Sequence, residues 1–164
     1  MKIDLNKLHH TFKHKPLLVG GKAMEYYGLR KAGPDIDFIA DENDVQELIK
    51  IYPKRVKSLW GDLGVCPEEF EIWKTICLFD YEYYKKDAIE EENFLVISLE
   101  KLLLMRALAM KKEKYLKDLS LIVNHVLHEQ GVKYQELNNK NETFLKDIKD
   151  IVYLEKTEPS SELL

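Results

Sequence analysis

With 164 residues, 45% of them hydrophobic and 33% charged, the chain has the composition of a folded protein and the length of one compact domain, or of a catalytic domain with a small helical extension. A net charge of −4, from 29 acidic against 25 basic residues, disfavours non-specific DNA binding, because the bulk field repels phosphates. The longest apolar run, Leu102 to Ala109 with Arg106 inside it, falls far short of the roughly 20 residues that cross a bilayer, so no membrane segment is expected.

Taken in chain order, Ile3, Leu5, Leu8 and Phe12 recur at helical spacing, which predicts a helix over 3–14 closed by Pro16. Leu17-Leu18-Val19 then reads as a buried strand, Gly20-Gly21 as a turn, and Lys22 to Tyr27 as a helix that stops at Gly28. After the turn cluster Lys31-Ala32-Gly33-Pro34, the stretch Asp35 to Ala40 begins with the alternation of a strand. Asp41 to Asn43 can cap a helix from Val45 to Tyr52, closed by Pro53. Arg55 to Trp60 and Phe70 to Phe79 read as an antiparallel pair separated by the turn Gly61-Asp62-Leu63-Gly64. Phe94 to Ile97 is a short extended run leading into Ser98, a natural N-cap, with Glu100 in the first turn where the helix dipole favours negative charge. Helices are expected over Leu99 to Ala109, Tyr115 to Glu129 and Phe144 to Leu154, followed by a loose tail from about 157.

The expected fold class is therefore α/β (α+β), with a mixed sheet flanked by helices over 1–97 and a helical region over 98–164 packed on it. An N-terminus without an apolar signal core, and only two cysteines, Cys66 and Cys77, point to a reducing, cytoplasmic setting.

Asp35 and Asp37 carry the chemistry. On a strand they share one face while Ile36 and Phe38 turn to the other, and two such carboxylates repel each other unless a divalent cation compensates them. Mg²⁺ suits an all-oxygen site of this kind. Upstream, Gly20-Gly21 lies between strand and helix, where backbone N–H groups can meet phosphate oxygens with no side chain in the way; the bland alternative is a tight turn that needs positive φ.

Together, Val19-Gly20-Gly21-Lys22-Ala23, Gly28-Leu29-Arg30 and Asp35-Ile36-Asp37-Phe38 resemble the nucleotidyltransferase superfamily with the polymerase-β-like fold, especially its small bacterial toxin and antibiotic-modifying branches. The resemblance weakens over 41–68 and resumes from Phe70 to about Leu121, where Val96 to Leu103 and Lys117-Asp118-Leu119 look like the helical region after the catalytic sheet. It implies a Mg²⁺-dependent enzyme that moves a nucleoside monophosphate from a nucleoside triphosphate to an acceptor hydroxyl on an RNA end, a protein side chain or a small molecule. Two Mg²⁺ ions would be held by Asp35 and Asp37, with Glu71 as third ligand or general base and Asp80 in reserve. Glu71 departs from the family's usual aspartate, the extra methylene moving the carboxylate outward. Gly20, Gly21, Lys22 and Arg30 would line the triphosphate, Arg30 contacting phosphate or pairing with a nearby carboxylate. The toxin branch further implies an antitoxin-like protein partner. From a different class, the rival expectation is a non-catalytic module that keeps the fold to bind a nucleotide or a partner, and a still plainer one is an interaction protein whose motifs are only turn chemistry.

Other features read as structural. His10 with His14, and His125 with His128, have the spacing of metal-binding pairs but no nearby third and fourth ligands. Cys77 reads as a buried thiol in an apolar run, Tyr26, Tyr27, Tyr81, Tyr83 and Tyr84 as packing aromatics, and Glu90-Glu91-Glu92 as a solvated loop or helix end. Lys111-Lys112 with Lys114, and Lys13-His14-Lys15, read as solvated basic faces.

Overall fold

The computed structural model describes residues 1, 3–59, 61–109, 111–131, 136, 139–140 and 142. Its contacts divide the chain into two compact units, Met1–His125 and Val126–Leu164. The first is a mixed α/β unit. A 3₁₀ turn (Leu5–Leu8) precedes β1 (Leu17–Leu18), α1 (Gly20–Tyr26), β2 (Ile36–Ile39) and α2 (Glu42–Ile51). There follow β3 (Val56–Leu59), β4 (Asp62–Val65), β5 (Phe70–Trp73), β6 (Thr75–Ile76), β7 (Phe79–Asp80), α3 (Tyr81–Tyr84), β8 (Ile89–Glu90), β9 (Leu95–Val96), α4 (Leu99–Leu108) and α5 (Glu113–Glu129), the last running on into the second unit.

Seven strands make one sheet in the order β3-β4-β5-β2-β1-β9-β8, and β6 with β7 forms a separate hairpin. The centre is mixed: β2 runs parallel to β5 and β1 parallel to β9, while β1 and β2 are antiparallel. This arrangement follows from the sequence locally. Leu17, Leu18, Phe38, Ile39 and Ile72 are fully buried, as expected of central strands covered on both faces. α4 starts where Ser98 caps it by accepting from the Lys101 amide at 3.4 Å, and α5 ends before Gly131, whose φ of +69° suits a helix stop.

Four expectations need correction. The segment 3–14 is not a helix: after Leu5–Leu8 the backbone turns left-handed at His9 (φ 47°), and the Lys13 and His14 amides then donate to the Asp44 carboxylate instead of to a helix. α2 begins at Glu42 rather than Val45, because Asp41 is its N-cap and accepts from the Asn43 amide at 3.0 Å. The expected pair of strands is a three-strand meander: Asp62–Val65 is itself a strand, antiparallel to β3 on one side and to β5 on the other, and the second run breaks after Trp73. Of Glu90-Glu91-Glu92, expected as a solvated loop or helix end, Glu90 belongs instead to the edge strand β8 (Ile89–Glu90), fixed from outside by Lys15, whose Nζ lies 2.7 Å from Glu90. The expected helix Phe144–Leu154 and the tail from 157 lie outside the described residues. Among the described residues no helix is long and apolar enough to cross a membrane.

Gly64 shows why a glycine can sit inside a strand. A Cβ there would fall 2.6 Å from Cε3 of Trp73, whose indole lies across β4, so the missing side chain is a packing requirement of the neighbouring strand. Gly64→Ala is expected to displace the indole and cost about 1–3 kcal/mol, read as a lowered midpoint in urea unfolding with an unchanged slope.

Candidate active site

The register of the sheet assembles the site. In the parallel pair β2–β5, Asp37 stands opposite Glu71 and Ile39 opposite Trp73. By strand alternation the two carboxylates share a face while Phe38 and Ile72 point the other way. That face forms the floor of a cleft of about 190 Å³ lined by Gly20, Asp37, Glu71, Trp73, Arg106 and Tyr115, among others. Asp62, Cys77, Met105 and Ala109 also line it.

Gly20 is the hinge between β1 and this floor. Its φ is +64°, and a Cβ would lie 2.0 Å from Asp37 Oδ2. Only glycine allows both the left-handed backbone and the close approach of the carboxylate. Burial, and next the facing Glu71, push the Asp37 carboxyl up to about 6, while the Gly21 amide and Arg106 pull the other way and Asp35 adds a little to the rise. The carboxylate pair is thus electrostatically uncomfortable as it stands.

The other expected residues fall around this floor in different ways. Asp35 stands one residue before β2, is exposed and is not part of the cleft lining, so of the expected Asp35–Asp37 pair only Asp37 lies on the cleft floor. Glu71 is partly exposed and its Oε1 accepts from Lys57 Nζ at 3.0 Å, Lys57 itself lying 5.8 Å from the centre of the Trp73 ring. Lys22 turns to Glu25, at 3.0 Å. Arg30 takes the carboxylate alternative: its Nε and one terminal nitrogen donate to the two oxygens of Asp118 at 2.6 and 2.9 Å. Gly21 is open, with Arg30 and Ala32 no closer than 3.8 Å to where a Cβ would be. The reserve carboxylate Asp80 is exposed and caps α3, accepting from the Tyr83 amide at 2.9 Å, which removes it from the cleft.

Sequence reasoning missed Arg106, the most informative cleft residue. It is 5% exposed, its Nε has no hydrogen-bond partner although Asp118 Oδ2 lies 3.1 Å away, and its guanidinium stacks 4.9 Å over Tyr115. Burial lowers its pKa, opposed by Asp118, Tyr115 and Asp37. The signal was a single arginine inside the apolar run of α4, a residue type that is almost never fully buried unless paired.

Asp62 was also missed. It accepts from Thr75 Oγ1 and from the Cys77 and Leu78 amides at 2.7–2.9 Å. It thereby holds a hairpin whose two turn residues, Cys77 and Leu78, both have positive φ. Cys77 is accordingly a half-buried turn residue lining the cleft rather than a core thiol. The tyrosines do pack as expected: Tyr84 is fully buried, and the Tyr26 and Tyr27 hydroxyls donate to Glu91 and to the Ile97 carbonyl, each at 2.7 Å.

Comparison of the chain with family models, with curated proteins and with solved structures gives no match.

Proposed function

We propose that the chain is a Mg²⁺-dependent nucleotidyltransferase with the nucleotidyltransferase fold, transferring a nucleoside monophosphate to an acceptor hydroxyl. The observation that carries this reading is the side-by-side register of Asp37 and Glu71 beneath Gly20. Two carboxylates that repel each other on the floor of a cleft are what a hard divalent cation stabilises.

Asp37 would hold the metal, with Glu71 beside it as general base and the exposed Asp35, just before β2, for a second ion. Bound there, Mg²⁺ supplies neutralisation of triphosphate charge and a lowered pKa for the attacking hydroxyl. The chain's own groups do the rest. Gly20 leaves the Asp37 carboxylate open to the ligand. Arg106 offers a buried cation to phosphate oxygens, a stronger contact in a low-dielectric cleft than in water. Trp73, Met105 and Tyr115 form an apolar wall for the base and exclude water. The acceptor oxygen attacks the α-phosphorus in line, its proton passes to Glu71, and the bond to the β-phosphate breaks to release pyrophosphate. Lys57, paired with Glu71, sets how readily that carboxylate turns to the reacting atoms.

The Lys57–Glu71 pair also favours a second reading, a non-catalytic module in which Glu71 is engaged for structure and the cleft only binds nucleotide. Glu71→Gln separates the two. For an enzyme it keeps triphosphate binding, measured by calorimetry, and lowers turnover by about 10²–10⁴-fold, as typical for loss of a general base. For a binding module there is no turnover in either protein.

A further inference from the structure

A second group of ligating side chains lies outside the cleft, where the segment 10–14 meets the start of α2. Asp41 caps that helix, its Oδ1 accepting from the Asn43 amide at 3.0 Å and side-chain nitrogen at 2.9 Å. Asp44, almost one turn further on, is fully buried. Its Oδ1 bonds His10 Nε2 at 2.8 Å and accepts from the Lys13 amide at 3.1 Å, whereas Oδ2 has only a long contact with the His14 amide at 3.4 Å. The His14 ring is exposed beside them, and one ligand atom from each of His14, Asp41 and Asp44 lies within 4.8 Å of the others.

These distances are informative. Of His14, only the backbone amide bonds to this pair among the described residues, at 3.4 Å to Asp44 Oδ2, while its imidazole stands near both carboxylates. Ligand bonds of roughly 2.0–2.2 Å to a zinc-sized ion place ligand atoms within that same 4.8 Å of one another. The exposed His14 side chain is free to turn, while Asp44 is held by His10 and the Lys13 amide and Asp41 by its cap of α2. A ligating carboxylate that is itself hydrogen-bonded is the usual support for a metal site. One imidazole nitrogen with two carboxylate oxygens selects a borderline divalent ion such as Zn²⁺ over Mg²⁺, which prefers oxygen alone and keeps its water.

We propose that His14, Asp41 and Asp44 form a zinc-class divalent site, with a fourth position left to water, that fastens the segment 10–14 to the start of α2. His10 positions the Asp44 carboxylate without touching the ion. The sequence shows the histidine pair but not its partners, because both aspartates come from a distant element that the fold alone brings near.

The test uses the full chain stripped with chelator and titrated with Zn²⁺ by calorimetry, with the thermal midpoint read in parallel. The expected result is one saturable equivalent with a rise in midpoint. His14→Ala, at an exposed position, should weaken binding at least about 10-fold. Asp37→Asn should bind Zn²⁺ as the parent does, and millimolar Mg²⁺ should not displace it. Absence of saturable binding, or equal affinity in His14→Ala, would overturn the proposal. Loss of the zinc equivalent in Asp37→Asn would assign the ion to the cleft and overturn it equally.

Discussion

Asp118→Ala is expected to destabilise the first unit by about 3–5 kcal/mol, the range measured when one partner of a buried ion pair is removed. Asp118 is 2% exposed, accepts the fork of Arg30 on both oxygens and forms an ion pair with Arg106, itself 5% exposed. Without the carboxylate, Arg106 keeps its charge in a site whose burial already lowers its pKa, and the nearest compensation left is the Asp37 side of the cleft. The loss should appear in urea unfolding as a lower midpoint. Arg106→Met in the same background should recover much of it, because the uncompensated charge is then gone. Recovery of stability without recovery of nucleotide binding would show that the triad serves both fold and cleft.

Asp37→Asn should do the reverse for stability. The Asp37 carboxyl titrates near 6 in the folded chain against 3.8 for the free group, chiefly through burial and then Glu71. A raised carboxyl binds its proton more tightly folded than unfolded, so its contribution is most favourable below about pH 4 and is lost as pH rises through about 6. Above that pH, in the absence of divalent metal, the ionised Asp37 costs on the order of 2–3 kcal/mol. Asparagine cannot ionise and can turn its amide toward Glu71. Asp37→Asn is therefore expected to unfold at higher temperature than the parent at pH 7.5 in chelator, with the difference vanishing near pH 4. Equal midpoints at both pH values would mean that the carboxylate pair is not under electrostatic stress.

These residues also show how far sequence reaches. The succession of β1, α1 and β2 was legible because an apolar run, a glycine pair and an alternating strand each leave a local signature, as was the Ser98 cap, although the glycines expected as a turn are the first residues of α1. The meeting of Asp37 with Glu71 followed from alternation only once the strand order was known, and the parallel pairing of β2 with β5 is a long-range outcome.

The meander was misread because Gly61 and Gly64 look like turn residues, whereas Gly64 is a strand residue emptied for Trp73. The N-terminal segment had helical spacing but lost its helix to a tertiary competitor, the buried Asp44 carboxylate that captures the Lys13 and His14 amides. Arg30 was left between phosphate and carboxylate because its partner, Asp118, lies on α5 at the far side of the sequence. The cleft-lining Arg106 could be flagged as an arginine in an apolar helix, but no local pattern tells which way it faces.

The most direct test of the central claim is incubation of the purified chain with each nucleoside triphosphate labelled at the α-phosphate, with Mg²⁺ and a cell extract as the source of acceptor, following both label transfer and pyrophosphate. The account predicts Mg²⁺-dependent attachment of the α-phosphate label with stoichiometric pyrophosphate release, abolished in Asp37→Asn although that variant is folded and at least as stable as the parent. Label transfer undiminished in Asp37→Asn, or no Mg²⁺-dependent binding of any triphosphate to the parent chain, would contradict it.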